Sequence, residues 1–201
     1  MKIFLIRHGE SFDDIEDCYG GVADFPLTEA GRQTAKVLAQ KLVESKIEIL
    51  YSSPFKRASE TAAIITEYLN CEIKIISDLK ERNSYGVISG VNRTKAKQIF
   101  DHVFSQLHGK PGDYYADERI LGDEPVTMFD TRVRSVFDQI LKDAAGKKII
   151  GIVTHGNVTR SIYRNILGVV GKVELDLLAL TIINYSSGKL AIEKSDGVAV
   201  K

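Results

Sequence analysis

The chain has 201 residues, 44% of them hydrophobic, with 16 glycines, 27 basic and 27 acidic residues and a formal net charge of zero. That length supports one sizeable core with room for an inserted cap, and the balanced charge provides no global field to gather nucleic acid or an anionic membrane, so neither is expected as a partner. Cys18 and Cys71 lie in no Cys-x-x-Cys or Cys/His cluster, which argues against structural zinc; no apolar stretch suits a secretory signal or a bilayer span, and a cytoplasmic protein is expected.

In chain order, the apolar run Ile3-Phe4-Leu5-Ile6 predicts a buried strand that ends on Arg7-His8-Gly9-Glu10-Ser11. Glu10, Asp13, Asp14, Glu16 and Asp17 then precede Gly20-Gly21 and read as a solvated loop. Thr28 is placed to cap a helix whose apolar positions Ala35, Leu38, Ala39, Leu42 and Val43 recur at helical spacing up to about Ser45. Residues 47–51 predict a second strand. Ser52-Ser53-Pro54 follows, with a capping serine and a proline in the first helical position, so a helix is expected over 54–69 with Arg57 near its amino end.

A third strand is expected over 72–76, then a polar segment through Glu81-Arg82-Asn83-Ser84-Tyr85-Gly86. A basic helical pattern over 92–107 (Arg93, Lys95, Lys97) and a turn-rich stretch over 109–125 make 82–125 a cap. Val126, Phe129, Val133, Val136, Phe137 and Ile140 describe an amphipathic helix feeding an apolar strand over 148–154, a pattern that suits a central parallel strand. His155-Gly156-Asn157 repeats the His-Gly device of the first strand. It opens a helix expected over 157–167, and residues 177–183 and 189–192 read as a closing hairpin.

The fold class that follows is α/β: a three-layer α/β/α sandwich with a mostly parallel central sheet, one antiparallel edge strand and a small cap, all within one domain over 1–201. In such sheets ligands bind at the carboxyl ends of the strands, which here gathers Arg7, His8, Arg57 and His155 on one edge. A neutral imidazole can attack phosphorus, and guanidiniums can hold phosphoryl oxygens through paired hydrogen bonds.

Five segments in order, Leu5-Ile6-Arg7-His8-Gly9-Glu10-Ser11, Asp24-Phe25-Pro26-Leu27-Thr28-Glu29-Ala30-Gly31, Ser52-Ser53-Pro54-Phe55-Lys56-Arg57-Ala58, Glu81-Arg82 with Tyr85-Gly86, and His155-Gly156-Asn157, resemble the histidine phosphatase superfamily, in its phosphoglycerate mutase-like branch. The resemblance covers nearly the whole chain. It implies a phosphomonoester hydrolase acting on a small phosphorylated metabolite, with His8 as the nucleophile that becomes phosphohistidine and Glu81 as proton donor. Arg7, Arg57, His155 and Asn157 would surround the phosphoryl group, and Ser11, Gly21, Arg82 and Arg93 are candidate substrate contacts. No metal and no cofactor is implied.

Two departures bear on this reading. Asp14 stands where relatives commonly carry a phosphate-donating Asn, and an ionised carboxylate cannot donate; it either turns away, is protonated, or is replaced by groups of Ser11, Gly20 or Gly21. The cap is shorter than in bisphosphoglycerate-dependent mutases, and Val103-Phe104-Ser105-Gln106 lacks their paired arginine. Against that, Gly90-Val91-Asn92-Arg93 and His155-Gly156-Asn157 are mutase-like, so a phosphoglycerate mutase is the alternative to hydrolysis. A metallohydrolase built on His8, Asp13, Asp14 and His155, and a non-catalytic phosphate-binding protein, are the readings from other classes. His102 and His108 match no motif and are expected at the surface of the cap, Tyr85, Tyr114 and Tyr115 either line the substrate mouth or pack the cap and are assigned no role, and nothing in the sequence sets an oligomeric state.

Overall fold

The computed structural model describes residues 1–104 and 120–201. The elements, in order, are β1 (Lys2–Arg7), a one-turn α1 (Phe12–Ile15), α2 (Glu29–Leu42), β2 (Ile49–Ser52), α3 (Lys56–Leu69), β3 (Glu72–Ile75), α4 (Arg93–Phe104), α5 (Val126–Asp143), β4 (Ile149–Thr154), α6 (Gly156–Ser161), β5 (Val173–Ser186) and β6 (Lys189–Val200). They form one six-stranded sheet of order β3-β2-β4-β1-β5-β6. β1 to β4 are parallel to one another, as right-handed crossovers through α2, α3 and α5 require.

Alternation along the strands divides the core into two layers. Ile3 and Leu5 of β1 pack with Phe129, Val133, Val136, Phe137 and Ile140 of α5, while Phe4 and Ile6 face Ala35 and Ala39 of α2 and Ala58, Ala62 and Ile65 of α3. Small residues on α2 and α3 let those helices lie close to the sheet and to each other. A separate small cluster, Tyr19, Ile88, Ala96 and Ile120, joins the cap-side segments to the loop after α1.

The structure differs from the expectations at four places. Two strands are antiparallel, since β5 pairs with β1 inside the sheet and β6 forms the edge. Both are longer than the alternation suggests, because register shifts between Leu175 and Leu180 and between Ile182 and Ile183 break the period on which the reading rested. The acidic loop contains α1, where the Asp14 carboxylate accepts from the Ser11 backbone N–H at 2.9 Å in a capping box. α3 begins at Lys56, not at Pro54, because the loop before it satisfies the first helical amides: Asp24 accepts from Lys56 N at 2.6 Å and Phe25 O from Arg57 N at 3.1 Å. The helix after His155 gives way after Ser161 to a π turn over Ile162–Ile166. Residues 105–119, which hold His108, Tyr114, Tyr115 and much of the expected cap, lie outside the described residues.

Candidate active site

Two neighbouring parallel strands bring the His-Gly devices together. Arg7 pairs in register with Thr154, and His8 N donates to Thr154 O at 3.0 Å, so the residues that leave β1 and β4 stand side by side. The rings of His8 and His155 lie 5.1 Å apart at 60°. Both are buried, with 5% and 0% exposure, and Arg57 beside them is 2% exposed.

His8 Nδ1 sits 2.8 Å from Gly9 O. A carbonyl can only accept, so the ring proton is on Nδ1 and Nε2 keeps its lone pair. Gly9 is itself tethered on its amino side, where its N–H donates to Thr61 Oγ1 at 3.1 Å. His155 Nε2 lies 2.7 Å from Ser53 Oγ, an oxygen that accepts from Phe55 N at 3.3 Å, and His155 Nδ1 is buried with no partner among the described residues. The Phe55 ring stands edge-on 5.5 Å from that imidazole.

The guanidiniums are each anchored by part of their donors. Arg57 gives Nη1 to Ala23 O at 2.7 Å and Nη2 to Gly21 O at 2.8 Å, leaving three of its five N–H groups uncommitted by these bonds. Arg7 gives Nη1 to Leu175 O at 2.7 Å, and its buried Nε has no partner among the described residues. Gly156 admits this crowding: a Cβ there would stand 3.0 Å from Arg160 Nη1 and 3.8 Å from Arg7 Nε. Burial, then the charges of Arg57 and Arg7, hold the His8 imidazole well below its usual pKa, and burial with Arg57, His8 and Arg7 does the same to His155. Burial also lowers Arg7, against which the nearby Asp14 charge acts.

Glu81 reaches the site from the segment after β3. One carboxylate oxygen accepts from Arg82 N at 2.8 Å and the other from Asn157 N at 3.1 Å, so it is tied to the first turn of α6. The Asn157 side chain donates to Ser84 Oγ at 3.3 Å and accepts from Arg160 Nη1 at 3.3 Å.

The structure thus brings Arg7, His8, Arg57, Glu81, His155 and Asn157 into one connected group. The other four expected contacts are engaged with protein neighbours. The Ser11 hydroxyl is 2.6 Å from Asp13 and 3.1 Å from Asp14; Gly21 serves through its carbonyl on Arg57. Arg82 Nε donates to Glu124 O at 2.9 Å, and Arg93 pairs with Asp17 at 3.1 Å. Among the described residues, no group of three or more His, Cys, Asp and Glu is gathered as a metal would need.

Sequence reasoning missed Thr61, Arg160 and the part played by β5, and read Ser53 as a helix cap. A signal existed for two of these: Thr61 is four residues after Arg57 and Arg160 three after Asn157, spacings that put each on the same helix face as its partner.

Two buried imidazoles, their pKa lowered by burial and by partly uncommitted guanidiniums, stand at the carboxyl edge of a parallel sheet, where their chemistry suits an anion. The histidine phosphatase superfamily (branch 1) model matches residues 3–196, and the chain belongs to that superfamily. It is 33% identical to phosphoglycerate mutase-like protein 4 of Arabidopsis thaliana, over 86% of this chain and 74% of that protein. It is 31% identical to the metal-independent phosphoserine phosphatase of the same plant, over 82% of this chain and 68% of that one. A 29% match to the Arabidopsis protein named probable 2-carboxy-D-arabinitol-1-phosphatase covers 83% of this chain but only 33% of that protein, so the chain spans about a third of that relative. Bacillus stearothermophilus YhfR superposes with a TM-score of 0.80 at 26% identity, covering 96% of this chain and 95% of that one. No helix among the described residues is long and apolar enough to cross a membrane.

Proposed function

We propose that the chain is a metal-independent phosphomonoester hydrolase that acts on a small phosphorylated metabolite through a phosphohistidine at His8. The observation that carries this is the His8 imidazole itself, with Nδ1 on the Gly9 carbonyl, Nε2 unprotonated, and its pKa lowered by burial and two guanidiniums. His8 Nε2 attacks phosphorus as the bond to the leaving oxygen breaks, and Glu81 gives that oxygen its proton. Arg7 and Arg57 use their uncommitted N–H groups on the equatorial oxygens, where charge accumulates. Ser53 Oγ already accepts from Phe55 N; when its own proton goes to His155 Nε2, His155 Nδ1 carries the hydrogen that faces the anion. In the second half, water attacks phosphorus, passes its proton to the Glu81 carboxylate, and the P–N bond returns its electrons to His8.

Hydrolysis is preferred to mutase chemistry because Arg93, the basic residue of the mutase-like Gly90-Val91-Asn92-Arg93 stretch, is engaged by Asp17 and lies over the Tyr19 ring instead of standing free for a second phosphate. We read the chain as a single domain with 82–125 as its cap. The unpaired thiols of Cys18 and Cys71 fit action in the cytoplasm.

The test is phosphate release from a panel of phosphomonoesters in the presence of EDTA, with 3-phosphoglycerate also assayed for isomerisation with and without its bisphosphate. Stoichiometric, acid-labile and base-stable labelling of the wild type by a radiolabelled substrate, absent in His8→Ala, is expected. A protein that neither releases phosphate nor becomes labelled would overturn the proposal, and bisphosphate-dependent isomerisation without release would make it a mutase.

A further inference from the structure

The two carbonyls that hold Arg57, those of Gly21 and Ala23, belong to an irregular loop that has little sheet or helix of its own to fix it. Its neighbour is the segment from Tyr85 to Arg93. Tyr19 N donates to Val91 O at 3.0 Å, Gly90 N to Tyr19 O at 2.6 Å and Arg93 N to Asp17 O at 2.8 Å, while Asn92 Nδ2 donates to Glu16 O at 2.9 Å. The two segments therefore run as a short antiparallel ladder, with Cys18 opposite Asn92. Their contact is close enough to exclude side chains: a Cβ at Gly21 would stand 2.7 Å from Ser89 Oγ, and one at Gly90 would stand 3.2 Å from Ala23 Cβ.

The end of this ladder is closed by one side chain. Arg93 Nε is 3.1 Å from Asp17 Oδ1, its guanidinium carbon lies 4.6 Å from the centre of the Tyr19 ring, and the Tyr19 ring lies tilted at 45° against that of Tyr85, 4.8 Å between centres. We infer that Arg93 is a positioning residue: it latches the 17–23 loop to the 85–93 segment through Asp17 and Tyr19, and so fixes where the Arg57 guanidinium stands, without touching the substrate.

This rests on the reading of Arg57 as a phosphoryl-holding group, and it has a consequence that a substrate-contacting Arg93 does not share. If the latch acts through Asp17, removing either partner weakens phosphate capture in the same direction, whatever the leaving group. If Arg93 instead reads an anionic group on the substrate, Asp17→Asn frees it to do so.

The experiment compares wild type with Arg93→Ala, Arg93→Lys and Asp17→Asn. Asn is chosen because position 17 has a φ of 50°, a left-handed conformation that Asn tolerates. The readouts are kcat and KM on para-nitrophenyl phosphate and on 3-phosphoglycerate, inhibition by inorganic phosphate, and hydrogen exchange at the Tyr19 and Gly90 amides. An exposed ion pair and a cation–π contact together set the scale: kcat/KM falls about threefold in Asp17→Asn and about tenfold in Arg93→Ala, with Arg93→Lys between wild type and Ala. The factor is the same for both substrates, inhibition by phosphate weakens in parallel, and both amides exchange faster. An effect of Arg93→Ala confined to 3-phosphoglycerate, or an Asp17→Asn enzyme as good as or better than wild type, would overturn the latch. A wild type that releases no phosphate would refute the hydrolase reading, while faster or unchanged exchange at Tyr19 and Gly90 would still decide the latch.

Discussion

Acidification from pH 7 to 5 should destabilise this protein through two specific side chains. His8 and His155 are buried, and both are held neutral well below the usual imidazole pKa. Once unfolded, each takes up a proton as the pH falls through about 6.5, whereas in the fold each does so only at lower pH, so below about 6.5 the unfolded chain binds more protons and stability declines. Each missing proton corresponds to about 1.4 kcal/mol per pH unit, so by pH 5 the pair together can lower stability by no more than about 4 kcal/mol, or roughly 8–16 °C in Tm for a chain of this size. Carboxylates whose pKa is depressed by ion pairs, such as Asp143 and Glu174, weaken the fold only as the pH falls through about 4, which leaves pH 5 to 6.5 to the histidines. Urea unfolding at half-unit pH steps measures the slope, read as a property of the pair. His8→Gln should halve it, and saturating inorganic phosphate, whose charge favours imidazolium, should flatten it. Stability that stays level between pH 6.5 and 5, or an unchanged slope in His8→Gln, would refute the claim that burial keeps these rings neutral.

Two further substitutions probe how the site is held. Arg57→Lys cannot bond both Gly21 O and Ala23 O while presenting a fork to phosphate, and kcat should fall about a hundredfold to a thousandfold, measured at saturating substrate; a loss under tenfold would show that the fork geometry is dispensable. Thr61→Val keeps volume but leaves the buried Gly9 N–H without its acceptor, so urea unfolding should register a loss of about 1–3 kcal/mol, and a change below about 0.5 kcal/mol would contradict the role given to that hydroxyl.

What the sequence conveyed was chiefly chemistry placed at ends of regular elements. His8, Arg57 and His155 were legible because apolar runs locate strand ends, and strand ends of a parallel sheet share an edge. Residues whose role depends on a distant segment were harder to read. Ser53 carries the pattern of a helix cap before Pro54, yet its hydroxyl faces His155, 102 residues away, and the helix starts later because the Asp24 and Phe25 acceptors suit Lys56 and Arg57. The puzzle posed by Asp14 is resolved locally. Ser11 and Asp14 have the spacing of a capping box, so the carboxylate is spent on its own helix and acts on Arg7 only through its charge. The irregularity in β5 carried no signal at all, since Leu178 takes a φ of 58° with none of the residue types that usually announce a left-handed turn.

That irregularity joins the fold to the chemistry. Val173 O receives Arg160 Nε at 3.0 Å, Leu175 O receives Arg7 Nη1 at 2.7 Å, and Leu178 N donates to His8 O at 3.2 Å. One strand therefore orients three site residues through main-chain groups alone, leaving its side chains free of any motif. Leu178 lies within the register shift between Leu175 and Leu180, while Val173 and Leu175 stay paired with β6 and lie beyond the last β1 pair at Leu180, so their carbonyls are available to the site. The left-handed residue is a strain that the surrounding pairs must hold in place. The site adds a second burden, since Arg7 Nε and His155 Nδ1 are buried without partners among the described residues. In the proposed mechanism both costs serve one end: donors already fixed in place, and a base stripped of water, stabilise charge on a phosphoryl group without reorganising. Inorganic phosphate should accordingly raise Tm by binding the folded chain, and a Tm unchanged at saturating phosphate would contradict that mechanism.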